Sequence, residues 1–106
     1  MPEFSSILSV KHSDRPLTKE ELVRAIRYNI AAEYEAVQLY QQLAESIDDP
    51  LAKKVLADIG REELVHAGEF LRLLHSLAPT EQSAYDEGYL EVEEMMRVAP
   101  AELRGR

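Results

Sequence analysis

Three side chains of the types that can ligate a metal fall where a helix should carry apolar groups. They are Glu33 in "AAEYEAVQLY", and Glu63 and His66 in "REELVHAGEF". Glu-x-x-His sets a carboxylate and an imidazole about one turn apart on one helix face, within reach of a single ion. An isolated carboxylate or imidazolium is strongly disfavoured in an apolar seam, so such groups are expected to be paired, neutral or metal-bound. Oxygen and imidazole nitrogen without thiolate suit iron or manganese, with zinc as the common competitor. A lone Glu-x-x-His on a helix is a weak signal. A third polar residue in register on a facing helix, with no Lys or Arg beside the three, makes a shared ligand the better reading.

The elements that must position these residues are two long helices. Thr18 followed by Glu21 forms a capping box, and Glu20 and Glu21 suit the positive end of the helix dipole. The apolar rhythm Val23, Ile26, Ile30, Val37, Tyr40, Ala44, Ile47 then has one vacant slot, filled by Glu33. Neither Gly nor Pro interrupts it, so one helix of about 27 residues is expected. Asp49 is a good N-cap and Pro50 a good first helical residue, so a second helix begins at once. Its stripe runs Ala52, Leu56, Ile59, Phe70, Leu73, Leu77, with Glu63 and His66 in the gaps, and closes at Ala78-Pro79. So short a turn makes the pair an antiparallel hairpin. Gly60 and Gly68 are candidate points of close helix approach. From Thr80 a weaker third segment follows, interrupted at Gly88, with Tyr89, Val92, Met95 and Met96 forming a short amphipathic helix. The expected organisation is an extended arm over 1–16, a helical unit over 17–98 and a frayed tail over 99–106. Phe4, Ile7, Leu8 and Val10 of the arm are able to pack on a neighbour.

A four-helix di-iron carboxylate bundle uses two lone Glu residues and two Glu-x-x-His pairs. This chain holds half of that inventory. Two copies about a two-fold axis would complete bundle and site together, and an isolated hairpin leaves an apolar face that favours such association.

With 20 acidic and 12 basic residues the formal charge is −8, which argues against nucleic acid or an anionic membrane as main partner. The complete lack of cysteine removes disulfides, zinc fingers, iron–sulfur clusters and thiol catalysis. No stretch approaches the roughly 18 apolar residues of a membrane span. Nothing at the start resembles an export signal, so the cytoplasm is the expected location.

The pattern Glu-x-Glu-Ala-Val-x-x-Tyr at 33–40, followed by Glu-Glu-x-x-His-Ala at 62–67, resembles the encapsulated ferritins of the ferritin-like superfamily. The resemblance spans roughly residues 14–98. It implies an all-α fold in which two long antiparallel helices and a short C-terminal helix complete a four-helix bundle by dimerisation. It implies ferroxidase activity, Fe(II) to Fe(III) with oxygen, at two irons per subunit dimer. Glu33, Glu63 and His66 would be the ligands, with Glu63 bridging the irons and Tyr40 beside them. Zinc, manganese or calcium are the candidate substitutes. Glu35 matches an acidic residue of an outer metal-attracting site. Ala32 replaces a further carboxylate there, and Leu39 replaces an aromatic, so both features depart from the family pattern. By the same resemblance the chain forms a homodimer within a ring and lies inside an encapsulin nanocompartment, passing iron to the shell interior for storage. The tail "RVAPAELRGR" matches a shell-targeting peptide only vaguely.

The remaining candidates carry less. His12 and His75 read as surface residues, Met95 and Met96 as packing, Glu62 as solvated, and Tyr34, Tyr85 and Tyr89 as amphipathic packing. Two rival functions use the same residues. One is a rubrerythrin-like peroxide-reducing di-iron protein, to which the lack of cysteine is unfavourable. The other is a non-catalytic helical oligomerisation module, either metal-stabilised or using its polar stripe to set register.

Overall fold

The computed structural model describes residues 14–98, which form three helices and no strand. Helix α1 spans Lys19–Glu45, α2 Pro50–Leu77 and α3 Pro79–Val98. Residues 1–13 of the expected arm over 1–16, and the tail over 99–106, lie outside the described residues.

α1 starts where the capping box predicts. The Glu21 amide donates to Thr18 Oγ1 at 3.2 Å, and the Thr18 amide donates to Glu21 Oε1 at 2.8 Å. Arg15 adds a two-pronged contact to the same carboxylate at 2.7 and 3.1 Å. The Arg15 guanidinium, then the Thr18 amide, lower the Glu21 pKa from 4.5 to about 2. At the other end Lys53 Nζ donates to the Ala44 carbonyl at 3.0 Å, satisfying an acceptor that the helix leaves over. Asp49 Oδ2 accepts from the Ala52 amide at 2.8 Å, with Pro50 opening the helix. These caps turn the chain within residues 46–49 and lay α2 back along α1.

The seam between α1 and α2 is built from Val23, Ile26, Ile30 and Val37 on one side, and Gly60, Ala67 and Leu74 on the other. Leu74 is fully buried, packed with Val23, Ile26 and Ile30 and flanked by Phe70, Leu71 and Leu77. The α1 stripe is as expected; the α2 stripe is not. Leu73, expected in the core, is 45% exposed, and Leu74 takes its place. Gly60, Ala67 and Leu74 repeat every seven residues and face α1, whereas Ile59, His66 and Leu73 form the adjacent row, about 100° around the helix. A residue counted one place off in a 3.6-residue period lands on that neighbouring row. Neither expected point of close approach needs a glycine: a Cβ at Gly60 would make ordinary contact with Tyr40 Cβ at 3.9 Å, and one at Gly68 would meet nothing within 4 Å.

The third helix is longer than the sequence suggests: α3 runs through Gly88 for 20 residues. One glycine costs a helix interior only about 1 kcal/mol, and the flanking Glu, Leu and Met residues are good helix formers. Pro79, expected as a stop, serves as the first residue of α3. No residue of α3 is buried. None of the described helices is long and apolar enough to cross a membrane.

Leu74→Ala is expected to cost about 2–5 kcal/mol in urea denaturation at fixed protein concentration, because the cavity opens at the most enclosed position. The Glu21 contribution is expected to be present above pH 4.5 and to fade as pH falls toward about 2, since its folded pKa is depressed. Denaturation of wild type and Glu21→Gln should therefore differ at neutral pH and converge near the acid limit.

Candidate metal centre

Midway along the seam the apolar packing gives way to three polar side chains. Glu33 comes from α1, and Glu63 and His66 from successive turns of α2. Each offers one ligand atom, and the three atoms lie within 4.8 Å of one another. His66 Nδ1 is 3.6 Å from Glu63 Oε2 and 3.8 Å from Glu33 Oε2. Those separations exceed a hydrogen bond but match donor atoms arranged about one ion at bond lengths of roughly 2.1 Å.

Burial sharpens the case. The Glu33 and Glu63 side chains keep 18% and 19% of their surface, against 47% for His66. Glu33 Oε2 is buried and accepts no hydrogen bond. Among the described residues neither carboxylate is paired with a lysine or arginine. A buried, unpaired carboxylate oxygen costs several kcal/mol less once a cation meets it, which is the physical reason to read this corner as a metal site. The donor set of two oxygens and one nitrogen fits iron or manganese.

His66 is more open than a buried stripe position implies, because it stands on the outer row with Ile59 and Leu73 rather than facing α1. Within that row His66 and Leu73 are exposed and Ile59 is half-buried, so it is largely uncovered in a single chain.

The other expected residues stand apart from the three. Tyr40 is half-buried two turns along α1, in a groove with Val37, Leu56, Gly60 and Leu64. Glu35 is exposed and is not among the clustered ligand atoms. Glu62 is exposed, as are Met95 and Met96. His12 lies outside the described residues. His75, expected at the surface, is half-buried: its Nε2 is enclosed without a hydrogen-bond partner, and its ring meets Tyr85 edge-on at 5.3 Å. Beside it is a polar network that sequence reasoning missed. Arg27 of α1 grips Glu81 of α3 at 2.5 and 3.1 Å, and the Tyr85 hydroxyl donates to the other oxygen of Glu81. Glu81 and Tyr85 have recognisable i, i+4 spacing. Nothing local ties them to Arg27.

Comparison with known proteins follows the geometry. Residues 24–104 match the rubrerythrin family. Over 82 residues the chain is 43% identical to the ferritin-like-encapsulin shell fusion protein of Pyrococcus furiosus, covering 77% of this chain and 24% of that protein. Over 71 residues it is 41% identical to the encapsulin nanocompartment cargo protein EncC of Myxococcus xanthus, covering 67% of this chain and 54% of that one. The chain thus spans from a quarter to about half the length of these relatives. The crystal structure of the encapsulated ferritin domain from Pyrococcus furiosus superposes with a TM-score of 0.78 at 38% identity, over 87% of this chain and 94% of that domain. Matched in sequence and in overall structure, this all-helical chain belongs to the rubrerythrin family of ferritin-like proteins and groups within it with the encapsulated ferritins.

Proposed function

We propose that the chain is a ferroxidase that oxidises Fe(II) to Fe(III) with dioxygen at a site shared by two copies. The observation that carries this reading is the unpartnered, buried Glu33 Oε2 facing Glu63 and His66. Iron is the substrate. When bound, it supplies the redox chemistry: two ferrous ions each give up one electron, and dioxygen accepts both.

The protein's part is to bind and to hold spacing. Glu33 and His66 would bind from facing helices, and Glu63, by the family resemblance, would be the carboxylate shared between the two irons. Keeping two ferrous ions a few ångströms apart needs a second set of the same residues, and one chain has only one. The row of half-buried Ile59 with exposed His66 and Leu73 is where a second copy would seat. Closing that face would cover His66 and dry the site, strengthening each charge interaction there. Tyr40, next to Gly60 and two turns along α1 from Glu33, would be a neighbour of the ligands by the family resemblance alone. Glu35, on the exposed side of α1, would attract incoming cations, helped by the net negative charge.

The names of the relatives support a place for this activity. One is a fusion with an encapsulin shell and another an encapsulin cargo. By that likeness the chain works inside an encapsulin compartment, as a homodimer within a ring, and delivers ferric iron to the interior. A second reading has its own support in the family match to rubrerythrin: the same ligands suit reduction of hydrogen peroxide by ferrous iron.

Fe(II) added under air is expected to give rapid ferric absorbance with wild type, and a rate near that of buffer with His66→Ala. Equal, buffer-like rates for both proteins would end the ferroxidase reading. Faster consumption of hydrogen peroxide than of dioxygen would favour the second one. Binding is separable from turnover: Mn(II) or Zn(II) at about 100 times its Kd is expected to stabilise wild type by about 2.7 kcal/mol, and Glu33→Gln by clearly less. Denaturation midpoints with and without the ion check this.

A further inference from the structure

Helix α3 is joined to the hairpin by a single non-helical residue. Ala78 (φ −136°, ψ 74°) lies between Leu77 and Pro79, outside the helical region that a following proline disfavours, with its side chain against the core cluster of Leu74. Beyond this joint α3 has little to rest on. It meets the hairpin sparingly, and Tyr89, Leu90, Met95, Met96 and Val98 remain 62–73% exposed. Twenty residues make a rod of about 30 Å, so turning it by about 10° at Ala78 would carry its far end about 5 Å. A helix so poorly packed needs some other restraint to hold one angle.

That restraint is polar and lies at the base of the rod. Arg27, on α1, reaches across to Glu81 in the first turn of α3 with Nε at 3.1 Å and a terminal nitrogen at 2.5 Å. The Glu81 side chain keeps only 12% of its surface. Tyr85, one turn further, donates to the same carboxylate and sets its ring against His75 of α2. All three helices therefore meet in four side chains. The Arg27 contact, followed by the Tyr85 hydrogen bond, holds the Glu81 carboxyl below its ordinary pKa, so the group stays ionised and the pairing persists across the neutral range.

We propose that the Arg27–Glu81–Tyr85 cluster is a latch that fixes α3 as a rigid arm, with Ala78 as its hinge. Closed, the latch directs the apolar stripe of Tyr89, Val92 and Met96 outward at one angle to the hairpin. Open, it lets α3 turn about Ala78 while the hairpin stays folded, because none of the four side chains belongs to the buried seam around Leu74. The latch is independent of the metal corner: Arg27 lies almost two turns before Glu33 on α1, and no ligand contacts it.

The lack of cysteine allows clean labelling. Spin labels on Lys54→Cys in α2 and Glu93→Cys in α3, both exposed, report the angle by pulsed dipolar distance measurement. Labelled chains are diluted with unlabelled protein so that only distances within one chain are read. Wild type is expected to give one narrow distribution. Arg27→Gln and Glu81→Gln should each broaden it about twofold, with unchanged helix content by circular dichroism. The exchanged pair Arg27→Glu with Glu81→Arg should narrow it again, and it also serves if either single variant folds poorly. Wild-type widths in both single variants, or a failure of the exchanged pair to recover, would overturn the latch.

Discussion

A carboxylate oxygen enclosed between two helices is costly unless a donor or a cation meets it. Glu33 is in that position, with an enclosed oxygen that accepts no hydrogen bond. The ligand groups clustered with it are another carboxylate and an imidazole, and no lysine or arginine among the described residues pairs with it. A leucine at this slot would have packed more favourably. Spending three seam-side positions on Glu33, Glu63 and His66 makes physical sense when a metal ion settles the charge.

The fold follows from holding those three groups together. Two helices of 27 and 28 residues are needed to bury enough apolar surface on either side of the polar gap. The cluster of Val23, Ile26, Ile30 and Leu74 lies to one side of it, and Val37 and Gly60 lie to the other. The Asp49 cap and Pro50 keep the connection short, which sets the register that brings residue 33 opposite residues 63 and 66. The described residues measure 57 × 45 × 20 Å, with no second layer over the hairpin among them, so its outer row of side chains is largely open. In the proposed assembly that row is what a second copy covers.

Much of this was legible in the residues, because local rules govern it. The capping box at Thr18, the Asp49–Pro50 start and the α1 stripe all depend on neighbours within a turn or two. The three clustered residues stood out because they broke an apolar rhythm. Distant contacts were less readable. Leu73 and Leu74 are both leucines, and only packing against α1 decides which row faces inward. Gly88 reads as a break because its cost is local, whereas the strong helix formers that carry α3 past it act over the whole segment. His75 reads as a surface residue near a helix end, and only the presence of Tyr85 on α3 encloses it. The Arg27–Glu81 pair joins residues 54 positions apart, and no periodicity reports such a contact.

The most direct test of the shared site is diffraction at the iron absorption edge from crystals of the ferrous-loaded protein. The account predicts paired anomalous peaks across a two-fold axis, each within bonding distance of Glu33, Glu63 and His66 side chains, with both copies contributing. Peaks confined to one chain's surface acids, or no iron at these residues, would contradict it.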